Sequence, residues 1–300
     1  MRVPGLSVFI PILVATCVPV FAQESTPVQL SPVIIDTTLE GQELVGPYQQ
    51  PRWSARGRFS ADTEVYVLPP WDFFVDIDYT GTVPRHGETD NVFTQEFELG
   101  LPHRFQIAYE NNVEVFASHT QETEHTIEAR YALADWGKLP LNPTLFAEYH
   151  LGVGKDYEDG GDPRPDSLEV RLLFGEQFAT KYQWALKVFH ERQLGGDREW
   201  ETGLSQALTY SIRDESLKVG IEMQVVRRTD EDTRADPDYE FDIGPSITWK
   251  PSRRTRFDVA PLFGVTRASP LVTVYAVFSI DFGKGHGEAE APSPVSVEHR

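Results

Sequence analysis

Twelve segments between Trp71 and Phe282 alternate apolar and polar residues with a period of two, and no other feature limits the possible folds as strongly. Successive side chains of a strand point to opposite faces, so this alternation gives each segment one apolar and one polar side. The last segment, LVTVYAVFSIDF, puts Val272, Val274, Ala276, Phe278, Ile280 and Phe282 on one face, with Thr273, Tyr275, Ser279 and Asp281 on the other. The first sets Trp71, Phe73, Val75, Ile77 and Tyr79 against Asp72, Asp76 and Asp78. The predicted strands are Trp71–Tyr79, Phe93–Leu101, Phe105–Val115, Ile127–Leu133, Leu145–Leu151, Leu168–Phe174, Tyr182–His190, Leu204–Ile212, Leu217–Val225, Tyr239–Trp249, Phe257–Val265 and Val272–Phe282. No helical periodicity competes with them.

Two architectures accept such strands: a sandwich solvated on its outside, and a membrane barrel with a polar lumen. The connections choose between them. Longer ones (Thr80–Val92, Phe116–Thr126, Gly152–Ser167, Glu191–Gly203, Val226–Asp238) largely alternate with short ones (Pro102–Arg104, Gly175–Lys181, Arg213–Ser216, Lys250–Arg256). A meander with one long-loop side and one short-turn side is the pattern of outer-membrane barrels, and an even strand number leaves both chain ends on the short-turn, periplasmic side. The expected fold is therefore all-β, a transmembrane antiparallel up-and-down β-barrel of about 12 strands. Recruiting Ala61–Leu68 and Val33–Ile35 makes 14 strands the alternative. Trp71, Trp136, Tyr182, Trp249 and Phe282 fall near the short-turn boundary, the level that amphipathic rings prefer.

The N-terminus, MRVPGLSVFIPILVATCVPVFAQ, reads as a signal peptide over residues 1–22, cleaved after Ala22. The alternative is a lipoprotein signal acylated on Cys17, the only cysteine. Residues 23–70, rich in Pro, Gln, Ser and Thr, form a periplasmic run-in or a plug; 71–283 is the barrel; 284–300 is a polar, disordered periplasmic tail. No later apolar run reaches the length of a transmembrane helix. A formal charge of −19 excludes nucleic acid as a partner.

In this register Phe73, Ile107, Val219, Ile221, Phe278 and Ile280 face lipid. The lumen receives Glu96, Glu98, Glu110, Glu128, Arg130, Glu148, Glu169, Arg171, Lys187, Glu222, Asp242 and Asp258, together with Asp76, Asp78, Glu114, Glu240, Asp281, Lys218 and Arg256. Carboxylates dominate this set, so a water-filled lumen favours cations. The competing reading is a closed barrel whose Arg and Lys pair with carboxylates for structure alone. DYEDGGD (Asp156–Asp162) has oxygen-rich calcium-loop chemistry without EF-hand spacing, and reads as a solvated loop. His125, His150 and His190 are not at ligand spacing, so no metal and no cofactor is expected. His86 and Asp90 could superficially serve an omptin-like protease, but no His-x-Ser or Ser-x-His occurs for a phospholipase, and no catalytic residue is assigned.

The stretches QEFELGLPHRFQIAYENNVEV, YALADWGKLPLNPTLFAEYHLG and VYAVFSIDF resemble bacterial outer-membrane barrels of the broad "MetA-pathway of phenol degradation" or outer-membrane transporter group. The resemblance covers most of Trp71–Gly283. It implies an outer-membrane channel for passive passage of small solutes, surrounded by outer-membrane lipid. VYAVFSIDF is also similar to the final-strand signal read by the barrel-assembly machinery during biogenesis, although here GKGHGEAEAPSPVSVEHR follows it. Nothing in the sequence specifies an oligomeric state.

Overall fold

The computed structural model describes residues 44–56, 58–115, 120–156, 162–213 and 215–283. Twelve antiparallel strands close into one barrel: β1 Phe73–Val83, β2 Asp90–Leu101, β3 Phe105–Val115, β4 Thr120–Ala132, β5 Thr144–Gly152, β6 Ser167–Phe178, β7 Tyr182–Gln193, β8 Trp200–Arg213, β9 Leu217–Thr229, β10 Asp238–Trp249, β11 Thr255–Gly264 and β12 Val272–Asp281. Each strand pairs with its neighbours in the chain. The ring closes where β12 meets β1, from Val272 opposite Val83 to Asp281 opposite Phe74. Closure satisfies backbone groups that hydrocarbon cannot, and leaves no sheet edge. The fourteen-strand alternative does not form. Ala61–Leu68 takes no place in the barrel ladder, and Val33–Ile35 lies outside the described residues.

The expected strand cores are present, but β1, β4, β7, β8 and β9 run further toward the long-loop end than their apolar alternation does. The connections there shrink accordingly, to residues 84–89 after β1 and 194–199 after β7. Past the hydrocarbon both faces of a hairpin meet water, so ladder hydrogen bonds continue the strand without apolar periodicity. His125, expected in a connection, therefore lies on β4, where its Nδ1 sits 2.9 Å from the Tyr109 hydroxyl.

Outward positions are apolar and exposed: Ile107, Ile127, Leu145, Val170, Ile221, Ile247 and Phe263 are all more than a third accessible. On β9 the outward run Leu217, Val219, Ile221, Met223, Val225 spans ~26 Å along the strand at ~3.3 Å per residue, or ~20 Å after a tilt of ~40°. That approaches the apolar band of an outer-membrane barrel. No water-soluble surface carries so continuous an apolar belt. Phe73, Phe278 and Ile280 lie on this outer face, with Phe73 ringed by Phe282 at 5.9 Å and Phe278 by Phe257 at 4.7 Å. Trp71, Tyr182, Trp249 and Phe282 are exposed at the end where β1 begins and β12 finishes, here called the terminal end. Trp136 departs from this girdle. It lies in the 133–143 connection and turns inward, with its ring 5.3 Å from Trp53 and 5.2 Å from Tyr66, both edge-to-face.

The partners of Trp136 belong to the segment that precedes the barrel. Tyr48, Trp53, Phe59, Val65, Tyr66 and Val67 form a buried cluster with Ala132, Ala185 and Ala207 of the inner wall. Residues 48–69 thus fold back into the terminal half of the lumen as a plug.

Candidate functional site

The candidate site is the lumen itself, and the inner wall is shaped for the plug. Ala132, Ala185, Ala207 and Ala260 face inward with no exposure, and Gly100 and Gly175 complete a seat of small residues. A Cβ on Gly175 would lie 2.0 Å from Val65 Cγ2, and one on Gly100 would lie 2.0 Å from the Pro69 carbonyl oxygen. Any side chain at either position collides with the plug.

Apart from Gln50–Pro51 against Leu44–Val45 and a single bridge between Arg58 and Glu64, the plug is unladdered and joins no barrel strand, so most of its polar groups need other partners. Gln106 accepts from the Leu68 amide at 2.8 Å, and the Val67 carbonyl accepts from Gln50 at 2.7 Å. Trp53 Nε1 donates to Gln177 at 2.7 Å, the Tyr66 hydroxyl donates to the Ala134 carbonyl at 2.6 Å, and Arg256 donates to the Arg58 and Phe59 carbonyls at 2.7 and 2.6 Å. Thr63 and Ser205 hydroxyl oxygens are 2.9 Å apart.

At mid-height the plug meets the wall through charge. Arg58 reaches Asp78 at 3.0 Å and Glu96 at 3.3 Å. Glu64 accepts from Arg171 at 2.7 Å and faces Lys187 at 3.7 Å, while Lys187 also meets Asp62 at 3.2 Å. Arg171 continues to Glu148 and Glu169, both at 2.5 Å. Arg130 pairs with Glu128 and lies 3.5 Å from Glu98. Phe146 sits between these two guanidinium groups, 4.7 Å from Arg130 and 4.2 Å from Arg171, so the cations also stack on an aromatic face. Burial opposes ionisation of Glu64, yet the charges of Lys187, Arg171, Arg130 and Arg58 overcome it and hold its carboxyl well below the ordinary range.

Glu96, Glu98, Glu128, Arg130, Glu148, Glu169, Lys187, Glu222, Asp242 and Asp258 are buried, and Glu110 and Arg171 nearly so. Two acidic groups come close enough to hold a metal ion, Glu148–His150–Glu169 and Glu96–Glu110–Glu128. In the first, Arg171 already bridges Glu148 and Glu169; in the second, Arg58 and Arg130 engage Glu96 and Glu128. Guanidinium groups thus occupy the positions that a cation would need. The calcium-like stretch Asp156–Asp162 lies mostly outside the described residues. His86 is exposed in the connection after β1.

The loop half of the lumen is different. A cavity of about 280 Å³ opens there, lined by Asp90, Asn112, Glu114, Glu124, Arg164 and Glu191 among others. Arg164 pairs with Glu114 at 2.5 Å, and Glu124 accepts from Asn112 at 2.9 Å and faces His150 Nδ1 at 2.9 Å. Sequence reasoning missed Glu124 and Glu191 because they lie beyond the apolar part of their strands. It also missed Arg58, Asp62 and Glu64 because nothing in a plug alternates. One signal was available: inward positions as small as Ala132, Gly175, Ala185 and Ala207 on nearby strands require something else to fill the space.

The fold has known counterparts. An outer membrane channel from Pseudomonas putida F1 superposes with a TM-score of 0.54 at 11% identity, over 72% of this chain and 97% of that one. The outer membrane protein Omp33 of Acinetobacter baumannii gives a TM-score of 0.42 at 10% identity, over 71% and 98%. No protein-family profile and no curated protein sequence matches the chain. The architecture and the apolar outer belt define an outer-membrane β-barrel, embedded in outer-membrane lipid.

Proposed function

We propose that the protein is an outer-membrane channel for passive passage of small solutes, cation-preferring, whose lumen is gated by its own N-terminal plug. The carrying observation is the acidic, 280 Å³ cavity that opens the loop half of the lumen above a plug seated by side chains rather than by a β-ladder. In this reading the terminal end faces the periplasm, and solutes enter through Asp90, Glu114, Glu124 and Glu191. Groups this close to a permeating ion lie within about one Debye length, ~8 Å at physiological salt, so their field persists. The similarity of the channel from Pseudomonas putida F1 supports a channel role. The likeness of Gln95–Val115 and Val274–Phe282 to the phenol-degradation and transporter group supports it further.

A second reading, a sealed structural barrel, draws on the apolar seat of Trp53, Phe59 and Tyr66. Planar-bilayer recording across a salt gradient separates the two. The channel reading expects a small conductance with a cation-positive reversal potential, moving toward zero in the Asp90→Asn, Glu191→Gln double variant. Silence in both wild type and a plug-displaced Gly175→Val variant would establish the sealed barrel.

A further inference from the structure

The terminal mouth of the lumen carries charge of the opposite sign to its loop half. A small cavity there is bounded by Arg52, Arg56 and Arg58 of the plug and by Lys250, Arg253, Arg254 and Arg256 of the β10–β11 turn and the start of β11. Only Asp72, Asp76 and Asp281 oppose them in its lining. In a chain of net charge −19, such a concentration of cations is the reverse of what composition delivers.

Pairing within the wall accounts for part of the cluster. Arg58 is engaged by Asp78 and Glu96, and Arg256 by Asp258 at 2.5 Å. Arg56 is not accounted for. It is 7% exposed and makes no hydrogen bond or ion pair with any described residue. The carboxylates nearest in influence are Glu215, Asp258 and Asp281. Glu215 is taken by Lys218 at 2.5 Å, Asp258 by Arg256, and Asp281 accepts from the Gly283 amide at 2.7 Å. A guanidinium this far withdrawn from water, with no direct counter-charge among the described residues, is costly, and an anion in the cavity it lines would offset that cost. Burial and the neighbouring Arg256 charge push the Arg56 group down to about 10; burial and Arg56 push the Lys250 ammonium down to about 6.

We propose that this mouth is an anion site that takes a compact oxyanion of the phosphate type, free or as the terminal group of a phosphorylated small solute. The cavity has about 30 Å³ of room, which is two or three waters at ~10–15 Å³ each, so it takes two or three oxygens of such a group with the rest directed to the rim, and is too small for a sugar. Guanidinium forks match phosphate oxygens in pairs, which a spherical halide cannot exploit. Arg253 and Arg254 are exposed at the rim, so an organic substituent projects into solvent. The bound anion joins the plug, through Arg56, to the β10–β11 turn. The site does not require that the lumen conduct.

Isothermal titration of the full-length, detergent-purified barrel with inorganic phosphate and with glycerol 3-phosphate tests this. Saturable binding is expected, weakened at least about tenfold by Arg56→Gln and several-fold by the Arg253→Gln, Arg254→Gln double variant. The double variant changes only exposed turn residues, so it reports even if the buried change unseats the plug; heat-modifiable migration verifies folding. Equal binding of both ligands identifies the phosphate group as what is read, and binding of inorganic phosphate alone identifies a free-ion site; both support the proposal. No saturable binding in wild type, equal binding of chloride, or affinity unchanged in both variants would overturn it.

Discussion

The two halves of the lumen are built by the same twelve strands but solve opposite problems. The terminal half is filled: Trp53, Phe59, Val65 and Tyr66 rest on a floor of Ala and Gly, and its mouth is cationic. The loop half is open and anionic, with Asp90, Glu114, Glu124 and Glu191 around 280 Å³ of space. Mid-height is where they meet, and there plug and wall are joined by charge, Arg58 to Asp78 and Glu64 to Arg171 and Lys187. On the proposed channel reading, the contrast assigns the barrier to passage to the plug rather than to the wall, and assigns selection to the acidic vestibule.

The contrast breaks most easily at its apolar side. Trp53→Ala removes the ring shared by Phe59 and Trp136 and should cost ~3–5 kcal/mol of plug seating. In thermal unfolding and bilayer recording, this should appear as a lower transition and a larger open-state current. Glu191→Gln in the loop half should leave stability within about 0.5 kcal/mol and change selectivity only. The wall between lumen and lipid gives the next effect. Ile221→Arg, at the middle of the outward run of β9, should cost ~2–4 kcal/mol in reversible unfolding from lipid vesicles. An effect below about 1 kcal/mol would place that face away from hydrocarbon.

A smaller effect lies at the charged junction. The carboxyl of Glu64 is depressed in the folded protein, so its contribution is fully present above the unfolded value of ~4.3 and is lost as pH falls toward the folded one. Conductance should therefore be insensitive to this group through neutral pH and rise below about pH 4.5 as the plug loosens. Glu64→Gln should show the raised level already at pH 7, and an unchanged trace would remove Glu64 from the latch.

Much of this was legible in the residues. Alternation in segments such as Leu217–Val225 and Val272–Phe282 specifies strand, facing and number together, because a membrane barrel requires all three to agree. The charged lumen follows from the same parity. What stayed hidden lacks periodicity: Gln50 to Leu68 pairs with no barrel strand, and side-chain partners such as Ser205 and Gln177 are more than a hundred residues away. The strand extensions into water were hidden for a related reason, since Thr120–Thr126 has no apolar face to betray it. Trp136 looked like a girdle residue because an aromatic at the right height serves lipid and plug equally well on sequence alone.

A reversible covalent lock on the plug tests the gating account most directly. Thr63 and Ser205 hydroxyl oxygens are 2.9 Å apart, which makes a Thr63→Cys, Ser205→Cys pair the natural choice for a disulfide between plug and wall. Single channels of this variant should be near silent when oxidised and regain the wild-type current on reduction. Equal currents in the oxidised and reduced states, with the bond verified by mass spectrometry, would show that the plug does not govern passage.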